Sequence, residues 1–146
     1  MNATAIKIDL LPFLMPKDEV RKLRSTDVIP KELDAGFEQL GMIDREWVWV
    51  LANEHRVKGI IVAAPVHGTV FVWRVALIPG QKSSALSRLL RGFLQSMREI
   101  GCAGILTIVD AKVPTQRQFR RVLERIKGKK FGEYDLVVAP MPKEFI

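Results

Sequence analysis

Around residue 80 the hydrophobic pattern of this chain changes its period. Before that point, REWVWVLANEHRVKGIIVAAPVHGTVFVWRVALIPG consists of runs rich in Val, Ile and Trp, broken at NEHR and at PVHG. β-Branched and aromatic residues favour strands and clusters of turn formers end them, so the stretch predicts a three-stranded antiparallel meander with turns near Asn53 to Arg56 and Pro65 to Gly68. After it, Leu86, Leu89, Leu90, Phe93, Leu94, Met97 and Ile100 recur at steps of three and four. That spacing lays one apolar stripe along a helix from Ser83 to Ile100, about 27 Å long, with Arg88, Arg91, Gln95 and Arg98 on the other face. A sheet with an apolar face and a helix with an apolar stripe must cover one another.

The remaining elements follow from the same signals. Gly101 stops the helix, GILTIVD supplies another buried strand, and TQRQFRRVLERIKG returns to helix with Phe119, Val122, Leu123 and Ile126 inward and Gly128 as its stop. EYDLVVAP closes the order as a last strand. Near the start, ATAIKIDLLPFL alternates loosely and reads as a first strand. The charged stretch KDEVRKLRSTDVIPKELDAGFEQLG has helical character, and Pro30 divides it into two helices, the second capped near Ile29 to Pro30 and stopped by Gly41. The predicted order is β, α, α, β, β, β, α, β, α, β, an α/β sandwich with a mixed sheet and no internal repeat. At 146 residues the sequence suits one domain, residues 1–146, with a single sizeable core.

Apolar residues make up 48% and charged residues 27%, a globular composition that gives no long stretch to disorder. No apolar run approaches the roughly 20 residues of a membrane span, and MNATAIKIDLLPFLMP lacks the basic start and cleavage site of a secretory signal, so the expected location is the cytoplasm. The lone Cys102 agrees with a reducing compartment and reads as a buried side chain. No set of His, Cys or carboxylates has metal-ligand spacing. The net charge of +7 points to an anionic partner. Its placement is uneven: Lys112, Arg117, Arg120, Arg121, Arg125, Lys127, Lys129 and Lys130 face only Glu124 between residues 111 and 130.

The stretch IPGQKSSALSRLL, residues 78–90, joins the meander to the long helix: a strand exit, a Pro-Gly turn, a cation, small residues and then the helix start. A helix N-terminus presents unpaired N–H groups and the positive end of the dipole, which favours an anion. Lys82 and Arg88 add charge there, and the hydroxyls of Ser83, Ser84 and Ser87 add donors. The plainer alternative is that Ser83 or Ser84 only caps the helix.

With this loop in this element order, residues 4–140 resemble the Gcn5-related N-acetyltransferase (GNAT) family, whose loop after the fourth strand binds the pyrophosphate of acetyl-CoA. The family's loop reads Gln or Arg, two residues, Gly, one residue, then Gly or Ala. Here Lys82 stands for the Gln or Arg, Ala85 for the first Gly and Ser87 for the second, with Leu86 between them; VKGIIVAA resembles the family's third strand, with Gly59 as its glycine. The resemblance implies a mixed, mostly antiparallel sheet flanked by helices and acetyl-CoA as co-substrate. It also implies that strand four, VFVWRVALIPG, lines the pantetheine arm, with an N–H near Ala76, Leu77 and Ile78 polarising the thioester carbonyl.

The sequence departs from the family at the proton-transfer positions. Where the family's acid tyrosine is expected, RRVLERIKG holds Val122, Leu123 and Glu124, and the only tyrosine, Tyr134, begins the last strand. Phe71 stands where some members carry a glutamate base on strand four. Asp110, Glu46, Glu54 and His55 are the available substitutes, each also readable as a solvated turn residue, and His67 reads as a turn residue. Trp47 and Trp49 share a strand face and Trp73 lies on another strand, so the three either pack the core or line an acceptor pocket.

Two functions fit these residues. One is an acetyl-CoA-dependent N-acyltransferase in which an amine attacks the thioester directly, helped by positioning and a water relay. The other is a non-catalytic domain of the same fold, for example a component of a larger particle, that binds nucleic acid or protein through Arg117, Arg120, Arg121 and Arg125; in either case a homodimer is open. Those arginines lack interleaved aromatics for stacking and would equally suit the 3′-phosphate of CoA.

Overall fold

The computed structural model describes residues 17–108, 112–125, 129–131 and 136–140. They form one seven-stranded sheet built from β1 (Glu19–Lys22), β2 (Val48–Ala52), β3 (Val57–Val66), β4 (Thr69–Leu77), β5 (Gly104–Ile108), β6 (Lys129–Phe131) and β7 (Leu136–Pro140). The spatial order is β1-β2-β3-β4-β5-β7-β6. Every neighbouring pair is antiparallel except β4 with β5, so the sheet is mixed and mostly antiparallel. Its helices are α1 (Lys31–Asp34), α2 (Ser83–Glu99) and α3 (Pro114–Arg125).

The meander forms where the sequence placed it. Asn53 Oδ1 accepts the N–H groups of His55 and Arg56 at 2.8 and 2.9 Å and closes the first turn. His67 and Gly68, at φ 47° and 79°, make the second, a two-residue hairpin turn whose positive φ values match the twist of the strands it joins. The long helix ends as expected: Gly101, at φ 79°, donates to the Arg98 carbonyl, and Cys102 donates to Met97, which satisfies two orphan carbonyls of the last turn.

Each face of the sheet carries its own core. On one face Leu86, Leu89, Leu90, Phe93 and Met97 of α2 pack on Trp49, Leu51, Ile61 and Val72, joined by Phe119 of α3. On the other, Leu23, Ile29 and Leu33 cover Val48, Val50, Ile60 and Val62. The alternation of β2 divides its residues cleanly between the two.

Two expectations for the charged stretch are overturned. The first of its two predicted helices is the strand β1, and the second is a single turn, α1, stopped at Ala35 in the left-handed conformation (φ 51°) rather than at Gly41. In β1 the sequence EVRK alternates, so that Val20 points at α2 while Arg21 turns away to grip Asp27 through Nη1 and Nη2 at 2.6 and 2.9 Å. A β-branched residue seated on a helix and a bidentate ion pair outweigh the weak helical propensity of a charged run. A second difference is β6, which puts Lys129 and Lys130 on a strand paired with β7. The strand expected over ATAIKIDLLPFL, together with Asp110, Ile126, Gly128 and Tyr134, lies outside the described residues.

Candidate active site

The parallel ladder between β4 and β5 is short. It pairs Val70, Phe71 and Val72 with Ile105, Leu106 and Thr107, and at its last pair the buried Thr107 hydroxyl donates to the Val72 carbonyl at 2.8 Å. Beyond it, among the described residues, no strand borders Trp73 to Leu77 on that side. On the β3 side the register steps from Val62 opposite Arg74 to Ala63 opposite Val72. Trp73 is therefore the extra residue of a β-bulge, placed where β4 leaves β5.

The open edge exposes specific backbone groups. Ile78 gives its N–H to the Lys58 carbonyl at 2.8 Å. Residues two apart in an antiparallel ladder turn their backbone groups the same way, so Ala76, opposite Ile60, also faces β3. Val75 and Leu77 turn theirs to the open edge. Of the three strand residues singled out in the sequence, Leu77 alone faces that edge, and Val75, which was not singled out, joins it.

The edge runs directly into the Pro79-Gly80 turn, where Gly80 has φ 87°, and then into the N-terminus of α2. Lys82 is the N-cap, exposed, with no side-chain cap, and no acidic residue stands in the first turn. The N–H groups of Ser83 and Ser84 head the helix, while that of Ala85 donates to the Lys82 carbonyl at 2.9 Å. Ser84 and Ser87 are exposed; the Ser83 side chain lies outside the described residues. Ala85 and Leu86 turn inward, 7% and 0% exposed, so the methyl that replaces a glycine hydrogen at Ala85 packs into the core and does not narrow the cradle. Arg88, one turn on, donates through Nη2 to the Asp18 carbonyl at 2.8 Å, and the Asp18 carboxylate pairs with Lys58 Nζ at 3.0 Å. An unpaired strand edge leading to an acid-free helix N-terminus suits an extended chain that ends in phosphate.

The other candidates scatter. Glu54 and His55 are exposed in the β2–β3 turn, beyond the Lys58–Ile78 pair and away from the bulge. Glu46 lines a cleft of about 390 Å³ with Trp47, Trp49, Ser96 and Glu99 at the far end of α2. Phe71 pairs with Ala64 and Leu106 inside the ladder. The side chains of Val122, Leu123, Glu124 and Arg125 lie outside the described residues; on the preceding turns of α3, Arg117 and Arg121 are exposed and Arg120 is half-buried. Trp47 and Trp49 meet at a tilt of 60° with centroids 5.9 Å apart on the α2 face, with Trp49 edge-on to Phe93 at 5.2 Å, while Trp73 meets Phe37 on the opposite face. Among the described residues no group of three or more His, Cys, Asp and Glu could hold a metal, and no helix is long and apolar enough to cross a membrane.

No protein-family model matches the sequence, and no curated protein matches it. Solved structures do match. The diaminobutyrate acetyltransferase of Paenibacillus lautus, in complex with L-2,4-diaminobutyric acid and coenzyme A, superimposes with a TM-score of 0.60 at 17% identity, over 89% of this chain and 99% of that one. Tetrahymena GCN5 gives 0.57 at 16% identity over 89% and 99%. A GNAT family acetyltransferase from Brucella melitensis, in complex with acetyl-CoA, gives 0.58 at 16% identity over 89% and 92%. The fold is that of the Gcn5-related N-acetyltransferases.

Two features of this site were missed in the sequence. The bulge at Trp73 leaves no signature in VWRV, because its cause is the register of β3. Arg74 looks like an ordinary outward strand residue, yet the bulge carries it to the face of α1.

Proposed function

We propose that this chain is an acetyl-CoA-dependent N-acyltransferase. The observation that carries the reading is the parting of β4 from β5 after Val72, with its freed edge running into the acid-free N-terminus of α2. In this reading the pyrophosphate rests on the N–H groups of Ser83 and Ser84 with Lys82 beside it, and the pantetheine arm lies along Val75 and Leu77 as an added strand. The residues fit that ligand: Gly80 supplies the positive φ of the turn, and the inward Ala85 methyl leaves the approach clear.

The amine, in its neutral form, attacks the thioester carbonyl carbon. The new N–C bond forms as the carbonyl π electrons move to oxygen, where an N–H of Val75 or Leu77 steadies the charge. Collapse breaks the C–S bond and expels the thiolate of CoA, and the surplus proton on nitrogen leaves through water to the thiolate or the solvent. No tyrosine is needed in this scheme; the rate rests on orientation and on the backbone donors.

The test is release of free thiol from acetyl-CoA by the purified protein over a panel of primary amines. Amine-dependent thiol release with the acetyl group recovered on nitrogen supports the reading. Absence of both across the panel, in a protein that acetyl-CoA also fails to stabilise, contradicts it.

A further inference from the structure

The bulge at Trp73 also changes which way side chains point. In a regular strand neighbours face opposite sides of the sheet. Here Trp73 and Arg74 both contact the Leu33-to-Phe37 segment, on the face away from α2. The Trp73 indole meets the Phe37 ring edge-on, centroids 5.2 Å apart at 88°. The Arg74 guanidinium carbon lies 5.2 Å over the same ring, and Nε donates to the Leu33 carbonyl at 2.6 Å.

One face and one edge of that guanidinium are thus engaged, and among the described residues its two Nη groups have no hydrogen-bond partner. Arg21, Arg24, Arg45 and Lys58 pair with Glu19, Asp27, Glu38 and Asp18, and among the described residues no carboxylate forms an ion pair with Arg74. Asp34 influences it from a distance, but its Oδ1 accepts the Glu38 N–H at 2.7 Å. Burial is the main influence on Arg74, and it lowers the proton affinity of the group. A half-buried cation with planar donors and no counter-ion in contact is a place where an oxyanion is stabilised.

Its position gives that anion a role. In the reading above, acetyl-CoA comes from the α2 side, and there the strand edge is backed by Leu86, Leu89 and Val75, all buried. On the opposite face Trp73, Arg74 and Phe37 stand together, with Trp73 at the bulge where β4 leaves β5, so an amine that approaches the carbonyl from that face meets them. Resting on that reading, we propose that Arg74 is the oxyanion subsite of the acceptor pocket, so that the amine acetylated here carries a carboxylate or a phosphate near its nitrogen.

The test compares matched acceptors in the thiol-release assay: glycine, L-alanine and L-lysine, each beside its α-amide, and O-phosphoethanolamine beside ethanolamine. The expected result is a KM at least about tenfold lower for the anionic member of a pair, with the carboxylate and phosphate arms telling the two anions apart. Arg74→Gln raises that KM about tenfold or more, leaves the neutral member and the KM for acetyl-CoA within about twofold, and Arg74→Lys recovers part of the loss. Equal use of both members, or an equal loss for both in Arg74→Gln as a merely structural anchor of α1 would give, overturns the proposal. Where no panel member is turned over, the thermal midpoint at saturating acetyl-CoA decides: a rise with the anionic members that is absent with their amides and in Arg74→Gln supports it. No such rise in a protein that acetyl-CoA does stabilise overturns the Arg74 subsite alone, whereas no stabilisation by acetyl-CoA overturns the reading beneath it.

Discussion

Thr107 donates its hydroxyl to the carbonyl of Val72 at 2.8 Å, on the last pair that joins β5 to β4. Thr107 is 2% exposed, so this bond sits in the core at the point where the strands part. Thr107→Val keeps the shape and removes the donor, and is expected to cost about 1–2 kcal/mol in urea unfolding, while Thr107→Ser keeps most of the stability. A valine variant as stable as the parent would show that the bond does not hold the fork.

Gly92 lies against Val20 so closely that a methyl at Gly92 would overlap Val20 Cβ and Cγ1. In an open helix Gly→Ala stabilises by about 1 kcal/mol. Here the overlap involves an atom fixed to the β1 backbone, so Gly92→Ala is expected to destabilise by about 1–3 kcal/mol, and Val20→Ala in the same chain, which removes the overlap with Cγ1 and keeps that with Cβ, should recover only part of the loss. Additive effects of the two changes in a double-mutant cycle would contradict this packing.

Arg21 and Asp27 tie β1 to the approach to α1. The hydrogen bond from Arg21 holds the Asp27 carboxyl below its ordinary range, with burial opposing and the Arg24 N–H assisting. A carboxylate with a depressed folded pKa contributes stability above its unfolded value, near 4, and loses it as pH falls through the folded value. Asp27→Asn is therefore expected to be about 2 kcal/mol less stable than the parent at pH 7, with the gap closing below about pH 4. A gap that persists unchanged at pH 3 would assign the loss to packing instead.

The fold was readable in the sequence wherever one period dominated. The Val, Ile and Trp runs gave β2, β3 and β4, and the Leu86-to-Met97 stripe gave α2, because each pattern is satisfied by local geometry and one buried face. The charged stretch was misread because β1 is only four residues long and its evidence is tertiary: Val20 against Gly92, and Arg21 against Asp27. At 79–88 the turn and the helix start were readable from Pro79, Gly80 and the small residues that follow. The bulge, and with it the turn of the Val75 backbone groups to the open edge and the swing of Arg74 toward Phe37, depends on strand register, which no residue in VFVWRVAL encodes alone.

Whether acetyl-CoA lodges on the N-terminus of α2 is tested most directly by the thermal midpoint of the parent and of Ser84→Glu, each with and without acetyl-CoA. Ser84 is exposed in the first turn of α2, so the new carboxylate would stand at the proposed place of the phosphates and, by favouring the helix dipole, is expected to leave the unliganded protein as stable as the parent or slightly more so. The account predicts that acetyl-CoA at a hundredfold excess over its dissociation constant stabilises the parent by about 2.7 kcal/mol and leaves the variant unmoved. An equal rise in both proteins, or no rise in the parent at millimolar acetyl-CoA, would contradict it.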